Sequence, residues 1–131
     1  MTSPDPLAYV LVIEDDEHIS SLLRLLLKRQ GYRVQICRDG RDAGVVIDTA
    51  DVPPALILLD VMLPYVGGFE LVHVIRARAD WDAVPIVMLT AQSTESDIVR
   101  ALDKGANDYI IKPFQPNDLM ARLGRFLEIT L

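Results

Sequence analysis

The 131-residue chain has one cysteine, one tryptophan and two histidines, and each scarcity narrows what it can be. A single cysteine, Cys37, excludes an internal disulfide. It lies in an apolar-alternating stretch, which favours a small buried side chain over a reactive thiol and fits a reducing, cytoplasmic setting. His18 follows an acidic loop and His73 falls on the outer side of a helix, so both read as surface groups rather than phosphodonors or metal ligands. Basic clusters are missing too. With 13 Lys and Arg against 19 Asp and Glu, the net charge is −6, which disfavours direct nucleic-acid contact by this domain. No stretch approaches the roughly 18 uninterrupted apolar residues of a membrane span. The apolar run at residues 7–13 is cut short by acids and has no basic leader before it, so neither a signal peptide nor a membrane anchor is expected. A soluble protein follows.

What is present is a well-filled single core. The 50% hydrophobic content at this length suits one domain and leaves no room for a second. Residues 1–6, with two prolines, are expected to form a disordered lead, and residues 7–131 the domain. The stretch that organises the rest is ALILLDVMLP at residues 55–64. Its apolar run reads as a strand buried on both faces, and a carboxylate ending such a strand, Asp60, must sit at its open mouth. Alone, that acid could simply be solvated; its partners decide its meaning.

Those partners emerge along the chain. Residues 9–13 repeat the pattern of an apolar strand ending in acids, Glu14 to Glu17, and a helix follows with Ile19, Leu22, Leu23 and Leu26 on one face. Residues 32–37 alternate as a second strand, and Ala43, Val46, Ile47 and Ala50 mark a second helix that Pro53 and Pro54 end. After Asp60, Leu71, Val72, Ile75 and Ala79 define the third helix. Residues 86–89 form a fourth strand ending at Thr90, and a helix capped by Ser93 or Thr94 carries Ile98, Ala101 and Leu102 inward. Residues 109–111 are a short fifth strand ending at Lys112 and Pro113, and the last helix, with Leu119, Leu123, Phe126 and Leu127 inward, is expected to run almost to Leu131. Trp81, between two acids before Pro85, either anchors its loop or touches a partner. Five strand-helix pairs in alternation imply a parallel sheet covered on both faces, with ligands beyond the carboxyl ends of the strands.

The strand ends therefore gather Glu14, Asp15, Asp60, Thr90 and Lys112. Converging carboxylates need a counter-charge, and an oxygen-only set suits Mg²⁺, an ion usually shared with a phosphate. Lys112 and the Thr90 hydroxyl can hold phosphoryl oxygens, which leaves Asp60 as a nucleophile that becomes an acyl phosphate. Two other readings stand beside this one. An aspartate-nucleophile phosphohydrolase would normally carry a second Asp two residues after the first, where this chain has Met62. A scaffold that is never phosphorylated would not need all five residues.

Taken together, VIEDDE, LLDVMLP, MLTA and DYIIKPF over residues 7–129 resemble the receiver domain of two-component response regulators, the chemotaxis-regulator-like superfamily. The resemblance implies a flavodoxin-like (βα)5 fold, a doubly wound five-stranded parallel sheet of order 2-1-3-4-5. It implies phosphorylation of Asp60 by a sensor histidine kinase or histidine phosphotransfer protein in a phosphorelay. The domain would then be no enzyme beyond its own phosphorylation and slow self-dephosphorylation. Mg²⁺, with Mn²⁺ as an alternative, would be held by Asp15, Asp60, the Met62 backbone carbonyl and, through water, Glu14, with Asp15 favoured over Asp16. Thr90 by its hydroxyl, Ala91 by its amide and Lys112 would bind the phosphoryl group, and the Lys112–Pro113 bond would be cis. Thr90 and Tyr109 would act as the switch that remodels the face of the fourth helix, fifth strand and fifth helix, where a homodimer can form on phosphorylation. Asp108, Asp118 and Arg122 match the charges of such dimers, whereas Ile98 and Asn107 depart from them. Met62 and Gln92 take the positions that tune phosphate lifetime, and an apolar Met62 points to a long-lived signal. The output is expected to be a free-standing regulator's, or that of an effector in a larger transcription factor from which this receiver is cut.

Overall fold

Apolar, β-branched runs separated by amphipathic segments fold as alternating strands and helices. The computed structural model describes residues 8–91 and 95–130. Its elements are β1 (Tyr9–Ile13), α1 (Glu17–Arg29), β2 (Arg33–Cys37), α2 (Gly40–Thr49), β3 (Leu56–Asp60), α3 (Gly68–Ala77), a 3₁₀ turn (Ala79–Trp81), β4 (Ile86–Thr90), α4 (Glu95–Asp103), β5 (Asp108–Ile111) and α5 (Pro116–Leu123). The five strands are parallel in the order β2-β1-β3-β4-β5. Expected and observed sheets agree.

Neighbouring side chains on a strand point to opposite faces, so each central strand feeds two cores. Val10, Val12, Leu58 and Leu89 pack with Leu23 and Leu27 of α1 and Leu119 and Leu123 of α5. Leu11, Ile13, Leu59 and Met88 pack with Ile47 of α2, Leu71, Val72 and Ile75 of α3 and Ala101 of α4. The helices thus lie two on one face and three on the other. At the edge, β2 alternates between exposed and partly buried positions, as its polar and apolar residues predict. α1 begins one residue before its expected start, because the Asp16 carboxylate accepts from the His18 and Ile19 amides and caps it. The expected Ser93 or Thr94 cap lies outside the described residues.

Three expectations are corrected. Leu102 does not face inward: it is 43% exposed on α4, whose buried residue is Ala101. Ala79 is not on the buried face of α3: that helix ends at Ala77, Ala79 is exposed in the following 3₁₀ turn, and Trp81 fills the space instead with no exposed surface. Trp81 is therefore a loop anchor. The last helix does not run almost to Leu131. It stops at Leu123, after which the Arg125 and Phe126 amides make tighter bonds to the carbonyls three residues back. Phe126 and Leu127 still pack on the α1 and α5 core, and beyond them the Gln30 side-chain amide exchanges two hydrogen bonds with the Thr130 backbone.

Far from the strand ends of interest, two arginines close the opposite pole. Arg76 donates to the carbonyls of Trp81, Asp82, Val84 and Gly105 and to Asn107 Oδ1. Arg78 donates to the carbonyls of Ile47 and Ala50 at the end of α2. Among the described residues, no helix is long and apolar enough to cross a membrane.

Candidate functional site

The carboxyl ends of β1, β3, β4 and β5 stand side by side, and backbone bonds continue the ladder one residue past them. The Glu14 amide donates to Cys37 O, the Val61 amide to Leu89 O and the Lys112 amide to Thr90 O. Glu14, Asp60, Thr90 and Lys112 are thereby held by the sheet rather than by free loops. Gly68 lets the first turn of α3 close onto β3, because a Cβ there would stand 2.4 Å from the Asp60 carbonyl oxygen. The peptide bond between Lys112 and Pro113 is cis.

Burial grades the acids. Glu14 has no exposed surface and Asp60 only 5%, while Asp15 is exposed at the rim. One carboxylate oxygen from each of the three lies within 4.8 Å of the others. The Lys112 Nζ sits 2.5 Å from Glu14 Oε1 and 3.3 Å from Asp60 Oδ2. Burial, reinforced by nearby Asp60, pushes the Glu14 carboxyl up to about 8 against the opposing pull of Lys112. For Lys112 burial acts downward, but its contacts with Glu14 and Asp60 outweigh it and raise the ammonium above its ordinary range. The sequence pairs Lys112 with a phosphoryl group and gives no sign of its bond to Glu14, which only the fold reveals by letting the Lys112 side chain reach from the end of β5 past β4 and β3 to the end of β1.

The remaining candidates are placed as follows. The Met62 amide donates to Asp60 Oδ1 at 3.1 Å, while the residue as a whole is 68% exposed and takes no part in the core. Thr90 is buried at the end of β4, and Ala91 follows it at the surface. Gln92 lies outside the described residues. Tyr109 is half-buried on β5 with the Arg122 guanidinium 5.5 Å from its ring centre. Asp108 is buried and pairs within the chain with Arg122 at 3.0 Å and Arg125 at 3.5 Å, while Asp118 is exposed. His18 and His73 are exposed, and neither belongs to the metal-type cluster found among the described residues.

The carboxylates fit a hard cation. They offer oxygen only, and Glu14 Oε2 is buried without a hydrogen-bond partner, a lone pair directed at nothing the chain supplies. The family model described as response regulator receiver domain matches residues 10–124. The chain belongs to that family. Its receiver is 40% identical over 114 residues to the DNA-binding response regulator MtrA of Mycobacterium tuberculosis, covering 87% of this chain and 48% of that protein. The chain thus spans about half the length of the curated relatives it matches. Among solved structures, the receiver is similar to the chemotaxis protein CheY4 of Vibrio cholerae, with a TM-score of 0.83, 32% identity and coverage of 92% and 98% of the two chains. It is also similar to the receiver domain of the sensor histidine kinase PA1611 of Pseudomonas aeruginosa, a structure with a magnesium ion coordinated in its active site cleft. There the TM-score is 0.81 and the identity 31%, with 93% and 98% covered.

Proposed function

We propose that this receiver takes a phosphoryl group on Asp60 from a phosphohistidine of a sensor histidine kinase or phosphotransfer protein. The supporting observation is the buried acceptor carboxylate with the Lys112 ammonium 3.3 Å from its Oδ2 and a buried Thr90 at the end of the strand between them. An Asp60 carboxylate oxygen forms the new bond to phosphorus as the bond to the donor nitrogen breaks, and the donor imidazole keeps the electron pair. The Met62 amide, donating to Oδ1, fixes the rotation of the carboxylate and leaves Oδ2 on the Lys112 side. Lys112, the Thr90 hydroxyl and the Ala91 amide then hold the phosphoryl oxygens. Asp15, Asp60, the Met62 carbonyl and, through water, Glu14 would hold Mg²⁺, or Mn²⁺ in its place. When bound, the ion supplies positive charge that lets an anionic carboxylate and an anionic phosphoryl group approach.

The signal leaves through Thr90 and Tyr109. A phosphoryl group that draws the Thr90 hydroxyl inward frees space into which the half-buried Tyr109 ring turns, and the α4-β5-α5 face shifts its population between two states. A homodimer across that face is the output we assign to the shift. The domain is a signalling switch, and its only reactions are its own phosphorylation and slow loss of the phosphate. The similarity to MtrA, a protein twice as long whose name describes it as DNA-binding, favours a transcriptional effector as the element controlled. Nucleic-acid contact would fall to that effector, since the receiver itself carries a net charge of −6. The experiment is incubation with acetyl phosphate and Mg²⁺ and intact-mass measurement, wild type beside Asp60→Asn. One added phosphoryl group in the wild type alone supports the proposal; equal labelling of the variant refutes it.

A further inference from the structure

Tyr65 is the only non-glycine residue with a positive φ among the described residues, at +70°. A bulky aromatic side chain there is a genuine outlier, and such backbone persists only where the surroundings dictate it. The surroundings are the first turn of α2. The Gly40 amide donates to Pro64 O at 3.1 Å, and Val66 approaches Gly40 so closely that a Cβ there would lie 2.0 Å from Val66 O. The next residue, Arg41, sets its guanidinium over the Tyr65 ring, 3.8 Å from the centroid. Two adjacent residues of α2 thus grip three consecutive residues, Pro64 to Val66, of the loop that follows Asp60. Tyr65 itself is 70% exposed and packs on no core, so the ring is not there to fill the interior.

The gripped loop also carries Met62, whose amide binds Asp60 Oδ1. We infer that Arg41 and Tyr65 form a clasp that positions the loop behind Asp60, and through it the Met62 backbone that orients the acceptor carboxylate. The inference deepens the phosphoacceptor reading and rests on it for its consequence in the reaction. Cation–π attraction between an exposed guanidinium and a tyrosine face offsets the unfavourable backbone of Tyr65, so the loop stays closed on α2. Both are positioning residues; neither touches the reacting atoms. A glycine at 65 would take the same φ without strain and would need no clasp.

The test compares Arg41→Gln, Tyr65→Ala and Tyr65→Gly. Amide hydrogen exchange of Gly40 and Met62, read by NMR in the metal-free protein, reports loop closure independently of any phosphorylation. Calorimetric titration with MgCl₂ reports the consequence at the site. Arg41→Gln and Tyr65→Ala are expected to exchange about fivefold faster at Gly40 and Met62 and to bind Mg²⁺ about threefold more weakly, with core amides unchanged. Tyr65→Gly is expected to stay within about twofold of the wild type on both readouts, and Arg41→Gln added to it to have no further effect. Exchange in Arg41→Gln and Tyr65→Ala indistinguishable from the wild type overturns the clasp, as does a Tyr65→Gly variant as loose as Tyr65→Ala. A wild type that shows neither Mg²⁺ binding nor labelling by acetyl phosphate overturns the phosphoacceptor reading instead, and the exchange rates then decide the clasp alone.

Discussion

The ammonium nitrogen of Lys112 lies 2.5 Å from Oε1 of Glu14, a residue with no exposed surface. The same nitrogen reaches Asp60 Oδ2 at 3.3 Å, so one cation is shared by two buried acids from different strands. Removing it leaves those acids without compensation. Lys112→Met is expected to destabilise the metal-free protein by about 3 kcal/mol at pH 9, measured by urea unfolding, because there Glu14 is ionised in the wild type and losing its cation strands a buried acid. The loss should shrink at pH 5, where Glu14 is protonated and needs no partner. A change below about 0.5 kcal/mol at both pH values would contradict the shared-cation account.

The raised Glu14 carboxyl gives stability a defined pH dependence. Folded Glu14 keeps its proton up to about 8, whereas the unfolded chain releases it near the ordinary glutamate value of 4.5. The folded state therefore binds more protons between these values, and this group's contribution is fully present below the lower one and lost as pH rises through the upper. The metal-free wild type should lose up to about 3 kcal/mol from this group between pH 5 and pH 8 relative to Glu14→Gln. Mg²⁺ competes with that proton, so its affinity should rise about tenfold from pH 6 to pH 8, a slope that Glu14→Gln flattens.

Gly68→Ala addresses the backbone beneath the acceptor. Its Cβ would meet Asp60 O at 2.4 Å and Val61 Cα at 2.9 Å, backbone atoms that cannot rotate away. A loss of about 2 kcal/mol or more in thermal or urea unfolding is expected, with weakened Mg²⁺ binding. Gly44, which has nothing within 4 Å of its Cβ position, is the control: Gly44→Ala in α2 should be neutral or stabilising by up to about 1 kcal/mol.

Met62 sets the lifetime of the phosphorylated state in our account. Its exposed thioether at the mouth of the site cannot orient a water molecule as an amide or carboxylate would. The phosphoprotein should persist for many minutes, followed by intact mass after the phosphodonor is removed, and Met62→Asn should shorten this several-fold. A wild-type half-life of seconds would contradict the assignment.

Much of this was legible in the sequence because strand ends are. In a parallel sheet the last residue of each buried apolar run is carried to one edge, so Glu14, Asp60, Thr90 and Lys112 converge whatever the loops do. The same logic fails where local pattern and tertiary contact disagree. Phe126 and Leu127 continue the spacing of α5 and do pack on its core, yet the helix ends at Leu123. Asp108 and Arg122 match charges for a partner, and their spacing gives no sign that within the chain they also pair with each other across β5 and α5. Arg76 and Arg78 carry no sequence signal of their roles, because nothing local shows which carbonyls the folded loops will bring to them. The left-handed Tyr65 is invisible for a related reason: the residue types that announce such a backbone are glycine and asparagine, and neither stands there.

The central claim is that Asp60 itself is modified. Borohydride reduces an aspartyl phosphate to homoserine, so peptide mass mapping after acetyl phosphate, Mg²⁺ and borohydride treatment locates the acceptor directly. Homoserine is expected at position 60 alone, and only when Mg²⁺ is present. Homoserine at Asp15 or elsewhere with Asp60 intact, or none at any position, would contradict the account.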